Sequence, residues 1–197
     1  MKIRVATPLP NMLDALIITE DSIKKMAGTF PEHQFERVEI HGPIIANNRN
    51  MLVKYNGLDF DKILFLDGDV TFSPKDFETL LKADEPVITG VYQLQASETY
   101  NSAWTYGSDY AKIYPDLDGR IWDVECSGLG FMLVDKEVFT KIDMTLFTPY
   151  FYYPWCRKLN KFLGEDIGFC WTVEQLGYKV KVHTGVKALH WKRDIDK

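Results

Sequence analysis

Ile63-Leu64-Phe65-Leu66-Asp67-Gly68-Asp69-Val70 is the stretch that decides how the rest of the chain is read. The apolar run Ile63 to Leu66 has the pattern of a strand buried on both faces, as in parallel sheets. It stops at two carboxylates that flank a glycine. In extended backbone, residues two apart point the same way, so Asp67 and Asp69 are expected to converge on one ion. Gly68 lets the chain bend and lets a ligand approach the backbone. Open α/β sheets bind ligands beyond the C-terminal ends of their strands, where this pair falls. Paired hard oxygen ligands with room for phosphate suit Mg²⁺ or Mn²⁺. Read alone, Asp-x-Asp is equally a polar turn closing a strand, and the surrounding sequence has to decide.

Upstream, Ile3 to Ala6 reads as a short strand ending in an extended loop, Thr7-Pro8-Leu9-Pro10, from which the prolines exclude helix. Met12 to Ala27 carries Leu16, Ile23 and Ala27 at helical spacing, with Gly28 as a stop. Phe35 to Ile40 gives a second strand. After His41-Gly42-Pro43, the asparagines around Arg49 precede Met51, Leu52 and Tyr55 on one helical face. An arginine early on such a helix can donate to phosphate or ribose oxygens, or simply be solvated.

Downstream, Ser73-Pro74-Lys75-Asp76 has the signature of a capped helix start, with Phe77, Leu80 and Leu81 as its core stripe. Pro86 to Tyr92 is the next strand. Strands and helices alternate to this point, which predicts a mostly parallel sheet covered on both sides. From Gln93 to Asp123 the pattern loosens into irregular strands and loops rich in Trp and Tyr. Ser127 to Gly130 then leads into a buried strand, Phe131 to Val134, after which Asp135 is placed to cap a short helix. Leu146 to Trp155 is dense in aromatics without a period and reads as a loop. Its rings suit either sugar stacking or core packing. Gly164-Glu165-Asp166 opens a helix with Phe169, Val173 and Leu176 on one face and Gly177 as its stop. The last strands pass through Tyr178, Val180 and Val182 towards Leu189-His190-Trp191.

At 197 residues the chain fits one well-buried core, and a single domain over 1–197 is expected. A formal net charge of −5 without a dense basic block argues against charge-driven binding of nucleic acid. Lys179, Lys181, Lys187, Lys192 and Arg193 give the C-terminal end a local basic bias that could meet a polyanion or be a solvated face. Cys126, Cys156 and Cys170 form no Cys-x-x-Cys pair and leave an odd thiol. With no signal-like or membrane-spanning run, the expectation is a cytoplasmic protein with reduced cysteines.

Three polar groups therefore fall at the ends of buried elements: Asp67/Asp69, Glu165/Asp166 and His190. Each alone has a plain reading as a turn, a helix cap or a surface histidine. Their order along the chain resembles the nucleotide-sugar glycosyltransferases of the GT-A fold, nearest to the family 2-like enzymes common in phage and bacterial genomes. The resemblance extends from Thr7-Pro8 and Arg49-Asn50 through the Asp-Gly-Asp strand and Gly164-Glu165-Asp166 to Leu189-His190. It implies a Rossmann-like three-layer α/β/α fold with a mostly parallel mixed central sheet. It also implies transfer of a sugar from a nucleotide-diphosphate donor, UDP-sugar by family habit, to an acceptor hydroxyl. Thr7 and Pro8 would line the nucleoside site and Arg49 would lie near ribose or diphosphate. Asp67 would sit near ribose and metal, while Asp69 and His190 ligate Mn²⁺ or Mg²⁺. Gly128 to Gly130 would form the wall beneath the transferred sugar. Asp166 would be the base of an inverting displacement, with Glu165 contacting sugar or acceptor. Polysaccharide, lipid-linked sugar, protein and modified DNA base all stay open as acceptors.

Other readings share parts of this pattern. A haloacid dehalogenase-like phosphatase also follows a strand with Asp-x-Asp, but near the N-terminus and with a later lysine and acidic pair. A nucleotidyltransferase would need a Gly-rich loop where this chain has Thr7-Pro8-Leu9-Pro10. A non-catalytic nucleotide-sugar-binding module would bind donor without consuming it.

Overall fold

The computed structural model describes residues 1–9, 16–93, 99–142 and 149–191. Pro10, the start of the Met12 segment, Leu146, Phe147, Lys192 and Arg193 lie outside the described residues. In chain order the elements are β1 (Lys2–Leu9), α1 (Leu16–Thr29), β2 (Gln34–His41), α2 (Ile45–Lys54), β3 (Lys62–Leu66) and β4 (Val70–Thr71). They continue with α3 (Pro74–Lys82), β5 (Val87–Val91), β6 (Ala103–Tyr106), β7 (Lys112–Ile113), β8 (Ile121–Val124), β9 (Cys126–Ser127) and β10 (Phe131–Asp135). The last are α4 (Lys136–Lys141), β11 (Trp155–Cys156), β12 (Lys161–Phe162), α5 (Glu165–Gln175), β13 (Val180–Lys187) and β14 (Leu189–His190).

The main sheet has seven strands in the order β2-β1-β3-β10-β5-β13-β8. β10 runs antiparallel to both β3 and β5, and β8 runs antiparallel to β13. The other five strands share one direction, so the sheet is mixed but mostly parallel. β3 is buried on both faces because its side chains alternate between two cores. Ile63 and Phe65 pack with α2, α4 and α5 residues such as Leu52, Phe139 and Phe169. Leu64 and Leu66 pack with α1 and α3 through Ile23, Met26, Phe77 and Leu80. Helices thus cover both faces, giving three layers.

Several local expectations are corrected. β1 extends through Thr7, Pro8 and Leu9, pairing with β2 as far as Leu9 opposite His41. β3 pairs with β1 only up to Ala6, so Pro8 lies where the ladder on that side has ended. α1 runs past Gly28 to Thr29. On α2, Met51 and Tyr55 are exposed while Asn48, Arg49, Leu52 and Val53 are buried. Asp135 does not cap α4 with its side chain; its carboxylate takes the Lys62 ammonium instead. The capping box is as read: Ser73 Oγ accepts from the Asp76 N–H, and the Ser73 N–H donates back to Asp76 Oδ2 at 2.8 Å. Gly177 ends α5 at φ +84°, a conformation glycine adopts without strain. Cys126, Cys156 and Cys170 are buried and unbridged. Among the described residues no helix is long and apolar enough to cross a membrane.

Arg4 lies in the middle of β1, fully buried beneath α2. Its guanidinium donates to the carbonyls of Leu52, Val53 and Gly57 at the end of that helix and to Glu36 Oε2 at 2.8 Å. The cation therefore satisfies carbonyls that the last helical turn leaves unpaired. Arg4→Met strands those carbonyls and Glu36. It should lower the unfolding free energy by about 3 kcal/mol, seen as a lower urea midpoint with an unchanged denaturant slope.

Candidate active site

The C-terminal edge of the parallel strands carries the polar groups. Asp67 follows β3, and the Asp67-Gly68-Asp69-Val70 segment is a turn, closed by the Val70 N–H donating to Asp67 O at 3.1 Å. The two carboxylates consequently do not alternate as in a strand, and the expected convergence on one point gives way to two separate partnerships.

Asp67 turns towards α2. The Arg49 guanidinium donates to Asp67 Oδ1 at 2.8 Å and, through its other terminal nitrogen, to Glu165 Oε1. Arg49 is 4% exposed and Glu165 7%, so this bridge between the end of β3 and the start of α5 is interior. Burial pulls the Arg49 pKa down, but Asp67, Glu165 and Asp166 outweigh it and hold the guanidinium charged. The sequence expectation sets Arg49 near ribose or diphosphate; in the structure each of its terminal nitrogens donates to a carboxylate, and its Nε has no hydrogen-bond partner among the described residues. Glu165 likewise faces inward.

Asp69 turns the other way. His190 Nε2 lies 3.0 Å from Asp69 Oδ2, and Nδ1 lies 2.9 Å from Gln93 O. The pairing is built by the chain: β14 lies antiparallel to β4, with His190 opposite Val70, and the Trp191 N–H donates to Asp69 O at 2.7 Å. The hydrogen bond to Asp69 raises the His190 pKa against the opposing effect of burial. Among the described residues no group of three His, Cys, Asp or Glu side chains is close enough to hold a metal. The Asp69–His190 pair is the part of the expected ligand set brought together directly.

Asp166 stands in the first turn of α5, where its Oδ1 accepts from the Ile167 N–H at 2.8 Å. Its carboxylate folds back over Gly164, where a side chain would collide with it. Burial pushes its pKa above the ordinary carboxylate value, opposed by that N–H and by Arg49. Thr7 and Pro8 reach the same edge from β1. Thr7 Oγ1 is buried without a hydrogen-bond partner among the described residues.

Tyr92 is the residue that the sequence left unmarked. Its hydroxyl accepts from the Gly130 N–H at 3.0 Å, and its ring packs edge-on to His190 at 5.9 Å. A Cβ at Gly130 would come within 3.0 Å of Asp67 Oδ2 and of the Tyr92 hydroxyl, and one at Gly128 would overlap that hydroxyl. The glycines are therefore required by close approach of Tyr92 and Asp67. Tyr92 ends the predicted strand Pro86–Tyr92 at the same edge as Asp67, and that position was the one available signal. Lys112 was also missed: its ammonium sits 3.5 Å over the Trp104 ring, burial lowers its pKa, and Asp166 opposes that shift.

Removing Arg49 leaves the buried Glu165 and the partly exposed Asp67 without their cation. Arg49→Met should cost about 3 kcal/mol at neutral pH. Burial already raises the Glu165 pKa in the intact protein, and losing Arg49 removes an opposing influence. A buried acid with a raised folded pKa is favoured in its protonated form, so the penalty should shrink as pH falls towards that pKa. Urea titrations of both proteins across mildly acidic pH check this, and a penalty independent of pH would contradict it.

No protein-family model matches the chain, and no curated protein matches it by sequence. Solved structures do match in fold. A197 from STIV aligns with a TM-score of 0.60 at 20% identity over 98% of this chain and 86% of that one. GalNAc-T7, solved with UDP, GalNAc and Mn²⁺, gives a TM-score of 0.62 at 12% identity over 98% of this chain but 44% of that one. The catalytic domain of Drosophila β1,4-galactosyltransferase 7, solved with xylobiose, gives 0.60 at 13% identity over 100% of this chain and 75% of that one. With its mixed seven-stranded sheet and helices on both faces, the chain has the GT-A fold of the nucleotide-sugar glycosyltransferases.

Proposed function

We propose that this chain moves a sugar from a nucleotide-diphosphate donor to an acceptor hydroxyl, by an inverting displacement that uses Mn²⁺ or Mg²⁺ and Asp166 as base. The observation that carries the reading is the shared sheet edge. There an Asp69–His190 pair neighbours one end of the Arg49–Asp67–Glu165 bridge in sequence, and a half-buried Asp166 neighbours the other. UDP-sugar is the favoured donor class, supported by the fold likeness to GalNAc-T7, a protein solved with UDP and Mn²⁺ bound.

The residues present fit a divalent cation. Asp69 offers a carboxylate and His190 a ring nitrogen. The Gln93 carbonyl beside Nδ1 orients Nε2 towards Asp69, as carbonyls commonly do for metal-bound histidines. A mixed oxygen and imidazole set suits Mn²⁺ at least as well as Mg²⁺. When bound, such a cation supplies Lewis-acid neutralisation of charge on the departing diphosphate. Asp67, fixed by Arg49, presents its second oxygen towards Gly130 and serves the ribose side of the site. Thr7 and Pro8 line the nucleoside, and a ligand polar group would relieve the unpaired Thr7 hydroxyl. Gly128 and Gly130 under Tyr92 form the wall along the transferred sugar. Asp166 takes the acceptor proton, and its raised pKa brings it nearer the range in which a base is both ionised and basic enough to act. Arg49 and Glu165 act as positioning residues.

The test is Mn²⁺-dependent hydrolysis across a panel of nucleotide sugars, followed by acceptor screening. Asp166→Asn should lower turnover by about two to four powers of ten with nucleotide affinity nearly unchanged. Because the base must be ionised, kcat/KM should fall on the acid side as pH drops through the raised Asp166 pKa, and this limb should vanish in the residual activity of the variant. Near-normal transfer by Asp166→Asn removes the base assignment. Asp69→Asn should weaken Mn²⁺ and donor binding together, and unchanged binding of both would remove the metal assignment.

A further inference from the structure

The β11–β12 hairpin, which leads into Glu165 and Asp166, has two rungs with opposite fates. In one, Cys156 is buried with Trp104, Leu163 and Ile167. In the other, Trp155 and Phe162 pack edge to face at 4.9 Å and stay 48% and 66% exposed. Phe162 is the most exposed large apolar side chain among the described residues. Tyr153 and Leu159 add further exposed apolar surface.

The cations are gathered on the same segment. Residues 153–162 hold Arg157, Lys158 and Lys161 and no acidic residue, in a chain whose net charge is −5. All three cations are exposed. Lys158 Nζ has a neighbour in Asp109, 3.5 Å away at the outer limit of an ion pair, and lies 4.7 Å from the Tyr110 ring. The tip turns through Asn160 at φ 49°, with its N–H donating to Arg157 O at 3.3 Å. Pairing continues behind the exposed rung, where the Leu163 N–H donates to Pro154 O at 2.9 Å, so the rings are held out by ordered backbone.

Apolar rings on a small ribbon with cations around them match the boundary between water and a lipid bilayer. Aromatic side chains partition into that boundary, and lysine and arginine pair with anionic headgroups. A single-stranded nucleic acid would also use cations and rings. However, Trp155 and Phe162 meet edge to face and form a wedge rather than two open stacking platforms, and the exposed Leu159 is aliphatic and offers a base no ring face. We propose that the 155–162 hairpin docks this protein on an anionic bilayer, with Trp155, Leu159 and Phe162 in the interface and Arg157, Lys158 and Lys161 against headgroup phosphates. Docking there sets the start of α5, and with it Asp166, close to the lipid surface. The proposal concerns the hairpin and does not need the transfer reaction to be correct.

Co-sedimentation of the full chain with phosphatidylglycerol vesicles, against pure phosphatidylcholine vesicles, tests it. The protein should sediment with the anionic vesicles only, and less so as salt is raised. Trp155→Ser and Phe162→Ser should each weaken binding about tenfold. Lys158→Ala and Lys161→Ala should each weaken it about fivefold. Their circular dichroism melts should match the parent, since all four side chains are exposed. Absence of sedimentation with phosphatidylglycerol overturns the proposal, as does sedimentation that Phe162→Ser leaves unchanged. Binding of a single-stranded oligonucleotide that the same variants weaken, and that phosphatidylglycerol vesicles fail to compete, also overturns it. Any of these leaves nucleotide-sugar hydrolysis, read without vesicles, as a separate question.

Discussion

One buried guanidinium holds the candidate site together. Arg49 ties the end of β3 to the first turn of α5 by donating to a carboxylate on each. Without a cation between them, a buried Glu165 and a partly exposed Asp67 would face each other, and like charges removed even partly from water are costly. A buried ion pair of this kind adds little net stability over a well-packed apolar alternative. What it adds here is position: it sets the distance between a strand end and a helix start that no backbone hydrogen bond connects. The charges do not cancel. One guanidinium serves a neighbourhood that also holds Asp67, Glu165 and Asp166; burial is what chiefly pushes both α5 carboxylates towards protonation, and the neighbouring carboxylates add to it. The α5 N-terminus offsets part of that surplus, and the remainder makes the edge attractive to a cation.

The same constraint explains the glycines opposite. A Cβ at Gly130 would crowd the Tyr92 ring and the second oxygen of Asp67, Oδ2, at 3.0 Å, while Oδ1 takes the Arg49 guanidinium. Tyr92 then fills the remaining space and accepts from the Gly130 N–H. Its hydroxyl is driven well above the ordinary tyrosine range, first by burial and then by the Asp67 charge, so it stays a neutral partner. Strands β3, β5 and β10 thus each contribute one piece of a small polar interior: a carboxylate, a phenol and a backbone edge.

The strands and helix starts were legible because their signals are local. The apolar run before Asp67, the Ser73–Asp76 capping box and the Gly177 stop each need only a few neighbouring residues to be read. The continuation of β1 through Pro8 was not, since it depends on where the neighbouring ladder from β3 ends. The inward turn of Arg49 was hidden for a related reason. Helical spacing allowed Met51, Leu52 and Tyr55 to be the core face; Leu52 is buried as expected, but the buried side of the helix turns towards Asn48 and Arg49, which brings Arg49 within reach of partners 18 and 116 residues away. Rule-of-two alternation failed at Asp67 and Asp69 because a turn, not a strand, joins them. The 155–162 hairpin has strands of two residues each, too short for any period to show.

That turn has a consequence for how the two halves of the site differ in robustness. The Arg49–Asp67 half sits at the end of a strand wholly buried between two cores, so opening it requires disturbing the main sheet. The Asp69–His190 half, a pair 121 residues apart in sequence, rests on a two-stranded ribbon, β4 with β14, of which Leu189 is exposed. Each strand of the ribbon is only two residues long, and it is carried by the adjoining β3 and β13, with the Thr19 hydroxyl donating to Val70 O at 3.0 Å. A ligand that engaged Asp69 and His190 together would add to the hydrogen bond that already joins them. The imidazole and its carboxylate thus stand on the shorter ladder, while the guanidinium half rests on the floor of the main sheet.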